Sequence, residues 1–114
     1  MKIWLDDIRP MPEGFDVHCK TATEAADFIR TGKVTFISFD HDLGPEKAGT
    51  GYRVAVFIED YARAGAIPPI GYQVHSANPV GRDNIIMAMN SAMRFWLEDN
   101  LLQFIKEYAY EYFN

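Results

Sequence analysis

The chain has 114 residues, 48% of them hydrophobic and 24% charged, the balance of an ordinary globular chain long enough to build a core without staples. Its net charge of −5, from 11 basic and 16 acidic residues, excludes broad coating of nucleic acid or of an anionic membrane, since both need a basic face. The single cysteine, Cys19, excludes an internal disulfide and reads as a small buried residue in a reducing compartment. With no secretory signal pattern and no apolar run of membrane-span length, a cytoplasmic protein is expected.

In chain order, Met1 to Leu5 reads as a short strand closed by Asp6-Asp7. Arg9-Pro-Met-Pro12 and Gly14 form a loop too rich in proline for a helix. Phe15 to Cys19 is a second short strand. Thr21 with Glu24 has the spacing of a capping box and opens a helix through Arg30, with Ala25, Phe28 and Ile29 inward and Gly32 as its stop. Val34 to Phe39 is uncharged and rich in β-branched and aromatic residues, so it reads as a strand buried on both faces. It runs into Asp40, His41 and Asp42. The polar loop from Gly44 to Gly51 follows, and Lys47 in it reads as solvated. Tyr52 to Arg63 has helical spacing in Val54, Phe57, Ile58 and Tyr61, and Gly65 ends it. Tyr72 to Ser76 is a fourth strand, carrying His75. Asn78 then caps a helix with Pro79 at its first position. Its apolar stripe is Ile85, Met89, Ala92, Met93 and Trp96. A last helix is expected after Glu98-Asp-Asn100, with Leu101, Phe104, Ile105, Tyr108 and Tyr112 on one face and a surface for a second copy in a homodimer.

Strands alternating with helices imply a parallel sheet of about four strands with helices on both faces. The first connection, about ten residues without a helix, is the exception; at roughly 33 Å extended it still permits a parallel return. One domain is expected over 1–114, with a core over about 1–95 and a helical extension over about 98–114.

The polar groups fall at strand ends: Asp6 and Asp7 after the first, Asp40, His41 and Asp42 after the third, His75 and Ser76 after the fourth. A parallel sheet places those ends along one edge, where open α/β sheets bind ligands. Crowded carboxylates repel unless a cation sits among them. Hard oxygen donors favour Mg²⁺, with Mn²⁺ as the transition-metal option. The helix start at Asn78, Arg82 in its first turn and Arg9 after the acidic pair supply groups that suit a phosphoryl ligand. Taken singly, each feature has a structural reading. Acidic pairs end strands, His18 and His75 are ordinary hydrogen-bonded histidines, and the tyrosine and methionine stripes are core or a partner surface.

Leu5-Asp-Asp-Ile-Arg-Pro10, Ile37-Ser-Phe-Asp-His-Asp-Leu-Gly44, Thr50-Gly-Tyr52 and Val74-His-Ser-Ala-Asn-Pro-Val-Gly-Arg82 resemble the cyclic-phosphate-processing receiver domain family over about residues 1–95. The resemblance implies a flavodoxin-like, receiver-like three-layer sandwich with the first receiver helix replaced by a loop and an extra C-terminal helix. It also implies a divalent-metal site at Asp6, Asp7 and Asp40, holding Mg²⁺ or Mn²⁺. The activity it implies is hydrolysis of a cyclic phosphate, in a cyclic nucleotide or at an RNA end. On that reading His41 and His75 are the acid and base, and Asp42 orients a histidine or reaches the metal through water. Arg9, Ser76, Asn78 and Arg82 bind the phosphate. The alternative is a non-catalytic module that binds a nucleotide or partner in the same crevice. A third reading has Asp40 accept a phosphoryl group, as in receivers. Against it, Leu102-Gln-Phe-Ile-Lys106 has helical spacing where a receiver has its fifth strand and lysine, and no proline follows.

Overall fold

The structure is a computed structural model that describes residues 1–113, with the side chains of Phe104 and residues 108–113 outside the description. Four parallel strands form one sheet in the order β2-β1-β3-β4: β1 (Lys2–Leu5), β2 (Val17–Cys19), β3 (Phe36–Phe39) and β4 (Gly71–Val74). Three α-helices accompany them: α1 (Ala22–Arg30), α2 (Gly51–Arg63) and α3 (Pro79–Phe113). A single 3-10 turn, Glu46–Ala48, lies in the loop before α2. This is the receiver-like α/β class, with a long C-terminal helix.

The register is flush. Ile3 pairs with Ile37 and Leu5 with Phe39, while Phe39 in turn pairs with Val74. Alternate side chains therefore line up across the strands. Ile3, Leu5, Cys19, Ile37 and Phe39 point to one face and are fully buried. They join Ala25, Ile29, Val54, Ile58, Ile85 and Met89 from the three helices in one core. Burying each large aliphatic side chain contributes about 1.5–3 kcal/mol.

All three helices lie on that face, where α2 packs against both α1 and α3. The expectation of helices on both faces fails for a topological reason. The crossovers β2→β3 and β3→β4 step the same way across the sheet. Right-handed crossovers in one direction place their helices on one side. Only β1→β2 steps the other way, and that connection is the helix-free segment 6–16. The segment itself forms the third layer. Phe15 meets Trp4 edge-on at 5.3 Å and Phe36 at 6.2 Å between centroids. Trp4 Nε1 donates to the Arg9 carbonyl at 3.1 Å, and Lys2 N donates to the Asp16 carboxylate at 2.7 Å.

The starts of α1 and α3 follow the expected caps at Thr21 and Asn78, and α2 begins one residue earlier than expected, capped by Thr50. The Thr21 hydroxyl accepts from Glu24 N, and the Thr50 hydroxyl accepts from Arg53 N. Asn78 Oδ1 accepts from Gly81 N at 3.0 Å. The break expected near Asn100 does not occur. Glu98-Asp-Asn contains neither proline nor glycine, so nothing stops the helix, and α3 runs 35 residues. At 1.5 Å per residue it spans about 52 Å, and it sets the long axis of a molecule measuring 58 × 27 × 22 Å. Its buried stripe is Ile85, Ala88, Met89, Ala92 and Trp96; Met93, expected in that stripe, lies on the flank at 43% exposure. Leu101 and Ile105, from the face expected to pair with a second copy, are exposed. Phe104, Tyr108 and Tyr112 of that face lie outside the described side chains. Among the described residues no helix is long and apolar enough to cross a membrane.

Burial of Cys19 pushes its thiol up to about 12, with Glu24 adding to the shift. The folded state thus keeps a proton that the unfolded chain loses above about pH 8.5. Stability from this group is complete below that pH and declines as pH rises towards 12. The native protein is expected to resist a thiol-modifying disulfide reagent at pH 8 and to react fully in urea. Fast native labelling would contradict the burial.

Candidate functional site

The last residue pair of each ladder is followed by a functional one. Asp6 N donates to the Cys19 carbonyl at 3.0 Å, Asp40 N to Leu5 at 2.9 Å and His75 N to Phe39 at 2.9 Å. The flush register therefore extends one residue past the strands. Asp6, Asp40 and His75 form the next row, with side chains on the face opposite Leu5 and Phe39. Their carboxylate oxygens and imidazole nitrogen lie within 4.8 Å of one another.

Asp6 is fully buried. Its Oδ1 accepts from Ile8 N at 2.8 Å and Arg9 N at 2.7 Å. Its Oδ2 accepts from His75 Nε2 at 2.9 Å. Burial presses the carboxyl upward, but the N–H groups of Arg9 and Ile8 and the His75 ring outweigh it, and the group sits below the usual carboxylate range. His18 is half-buried, and its Nε2 donates to the Asp6 carbonyl at 2.8 Å.

The row behind contains residues that sequence reasoning missed. Trp4 pairs with His18 and Ser38, and Ser38 with Gln73. The His75 ring stacks on Trp4 at 3.9 Å with only 4° between planes. Its Nδ1 lies 2.7 Å from Ser38 Oγ, which accepts from Gln73 Nε2 at 2.9 Å. The signal was available. Ser38 is a hydroxyl inside an apolar strand, and each of Trp4, Ser38 and Gln73 precedes a site residue by two, the period that shares a strand face.

A cleft of about 350 Å³ opens over this row, lined among others by Asp6, Asp7, Arg9, Asp40, Asp42, Ser76 and Asn78. Arg9 Nη1 donates to the His75 carbonyl at 2.7 Å, which pins the guanidinium at the rim. Ser76 Oγ accepts from Asn78 N at 3.1 Å. Asp7 lies outside the trio. Its Oδ2 faces Gly44, where a Cβ would come within 2.9 Å, and Gly44 has φ +87°. Only glycine suits both the turn and the carboxylate there.

Three expected members do not line the cleft: His75, which lies beneath it against Asp6, and Arg82 and His41. The Arg82 guanidinium turns to the end of β4 and donates to the Val74 carbonyl at 2.7 Å. The His41 ring lies against the first turn of α3, where a Cβ on Gly81 would fall 2.3 Å from its Cγ. Its Nδ1 donates to Asp42 Oδ1 at 2.9 Å, and Asn78 Nδ2 lies 3.4 Å from Asp42 Oδ2. The His41 bond holds the Asp42 carboxyl below its ordinary range against slight burial, with Asn78 helping. His41 thus joins the end of β3 to the start of α3. Lys106 lies in α3, so no described residue plays the part of a receiver's fifth-strand lysine.

A family model described as the cyclic-phosphate processing receiver domain matches residues 1–91. The chain belongs to that family. Comparisons with curated proteins and with solved structures returned no match. The cyclic-phosphate processing receiver domain match contains every site residue from Asp6 to Arg82 and stops within α3. The donors present also fit the divalent cation expected of such a receiver domain. Two carboxylates and an imidazole around one point are a set that binds dications.

Gly81→Ala is expected to cost about 1–3 kcal/mol by forcing the His41 ring aside. Adding His41→Ala should relieve the clash, so the double variant is less destabilised than the sum by more than about 0.5 kcal/mol. Urea unfolding of the four proteins measures this coupling. Simple additivity would mean the two residues do not press on each other.

Proposed function

We propose that this receiver domain is a metal-dependent phosphoesterase. Water is added across one P–O ester bond of a cyclic phosphate, in a cyclic nucleotide or at an RNA 2′,3′-cyclic end, and a phosphomonoester is released. The observation that carries this reading is the convergence of Asp6, Asp40 and His75 within 4.8 Å beneath an open polar cleft. A Mg²⁺ or Mn²⁺ ion held by Asp6 and Asp40, with Asp7 at the same cleft, would supply a Lewis acid for the phosphate and its attacking water.

The chain's own groups do the remaining work. Arg9 at the rim and the Ser76 hydroxyl bind phosphate oxygens, and the positive end of the α3 dipole at Asn78 favours the anion beside them. Asp42 lines the cleft and accepts a hydrogen bond from His41, and its position there makes it the carboxylate assigned to receive the proton of the attacking water. His41 positions Asp42. Arg82 acts through the β4 end and not by direct contact. The negative chain limits RNA contact to a terminus neutralised locally by the cation.

A second reading has its own observation. Neither imidazole lines the cleft, and both nitrogens of His75 are already hydrogen-bonded within the protein. A module that binds a cyclic phosphate without turning it over fits that arrangement.

The purified protein with a 2′,3′-cyclic nucleotide and Mn²⁺ is expected to yield a phosphomonoester detectable by ³¹P NMR. Asp40→Asn should lower kcat/KM by roughly 100-fold or more, since even partners of a metal ligand cost 10–100-fold. Thermal stabilisation by the nucleotide without any product would favour the binding module over the hydrolase.

A further inference from the structure

We infer that His75 is a nitrogen ligand to the cation, that Ser38 is the residue that positions it, and that the site therefore prefers Mn²⁺ to Mg²⁺. This rests on the metal-dependent reading above and narrows it to a class of metal.

The argument begins with how little freedom the His75 ring has. Trp4 fixes its plane by stacking at 3.9 Å and 4°. Ser38 fixes which edge points where, because Oγ lies 2.7 Å from Nδ1. Ser38 is itself fully buried and held by Gln73 Nε2 at 2.9 Å. What remains is Nε2, aimed at Asp6 Oδ2 from 2.9 Å and within 4.8 Å of an Asp40 oxygen. An imidazole that only paired with Asp6 would not need three residues of the row behind it to set its orientation.

Hydrogen capacity explains why a hydroxyl stands at position 38. With Asp6 ionised, Nε2–H donates to Oδ2, and Nδ1 accepts the Ser38 O–H. When a cation takes the Nε2 lone pair, the proton must sit on Nδ1 and needs an acceptor, the usual support of a ligating histidine. A hydroxyl oxygen has two lone pairs and one hydrogen. It accepts from Gln73 in both states, and its second lone pair takes Nδ1–H once the hydroxyl rotates. Alanine could do neither, and an ionised aspartate could not donate in the metal-free state.

The third donor decides the metal class. Mg²⁺ selects oxygen ligands and keeps its waters. Imidazole binds first-row transition dications better than it binds Mg²⁺. Two carboxylates with one imidazole therefore favour Mn²⁺, where Asp6, Asp7 and Asp40 alone would be an all-oxygen set suited to Mg²⁺.

Calorimetric titration of the full chain with Mn²⁺ and with Mg²⁺, with no substrate present, tests this. Mn²⁺ is expected to bind at least about tenfold more tightly than Mg²⁺. Pulsed EPR of the Mn²⁺-loaded wild type should show imidazole nitrogen coupling, which shifts when histidine is ¹⁵N-labelled. Ser38→Ala should weaken Mn²⁺ binding by about 10–100-fold with little change for Mg²⁺. The EPR signature needs no variant, so a Ser38→Ala protein that fails to fold does not shelter the inference. Equal affinity for the two ions with no nitrogen coupling overturns it, while Mn²⁺ binding that Asp40→Asn abolishes would still support the metal-dependent reading. Absence of binding by either ion overturns both.

Discussion

Parallel pairing without stagger between β1, β3 and β4 is the constraint on which the site depends. Leu5, Phe39 and Val74 share a row, so the residues after them share the next one. Asp6, Asp40 and His75 owe their meeting to this register. A slip of one residue in any strand would turn that strand's apolar set away from the core and its polar residue towards it. The same register that buries Ile3, Ile37, Leu5 and Phe39 thus assembles the polar edge. Core stability and site geometry are one requirement.

The helix-free connection 6–16 gives the polar edge its access. Strand order reverses between β1 and β3, and open α/β sheets bind ligands at such a switch. A helix on that face would cover the row of Trp4, Ser38 and Gln73. A loop instead supplies Phe15 to seal the apolar part of the face, and the N–H groups of Ile8 and Arg9 to hold Asp6. A buried carboxylate left without such donors would cost several kcal/mol or take up a proton. With them Asp6 remains ionised.

Close backbone approaches fix the other wall. At Gly51 a Cβ would fall 1.9 Å from the Asp40 carbonyl oxygen, and at Gly81 it would enter the His41 ring. Two helix starts are thereby drawn onto the segment after β3. The N-terminus of α3 reaches the cleft through Asn78, while His41 acts as the spacer between helix and sheet. The His41 imidazole, expected from the sequence to be an acid or base, packs against Gly81 and bonds Asp42. The one at His75 is held from both sides at the acidic row.

Local pattern was sufficient for much of this. Caps at Thr21 and Asn78, the periods of the strands and helices, and the clustering of Asp6, Asp40 and His75 at strand ends can be read from neighbouring residues, because capping and amphipathicity act over a few positions. The same short range makes the polar run Glu98-Asp-Asn100 look like a break, whereas α3 continues through it as one helix. Which histidine reaches the acids, and which arginine the cleft, had to await the assembled sheet. Ser38 meets His75 across 37 positions, and His75 meets Asp6 across 69. Contacts at such separation follow from strand order, crossover handedness and register acting together, and no stretch of sequence carries all three.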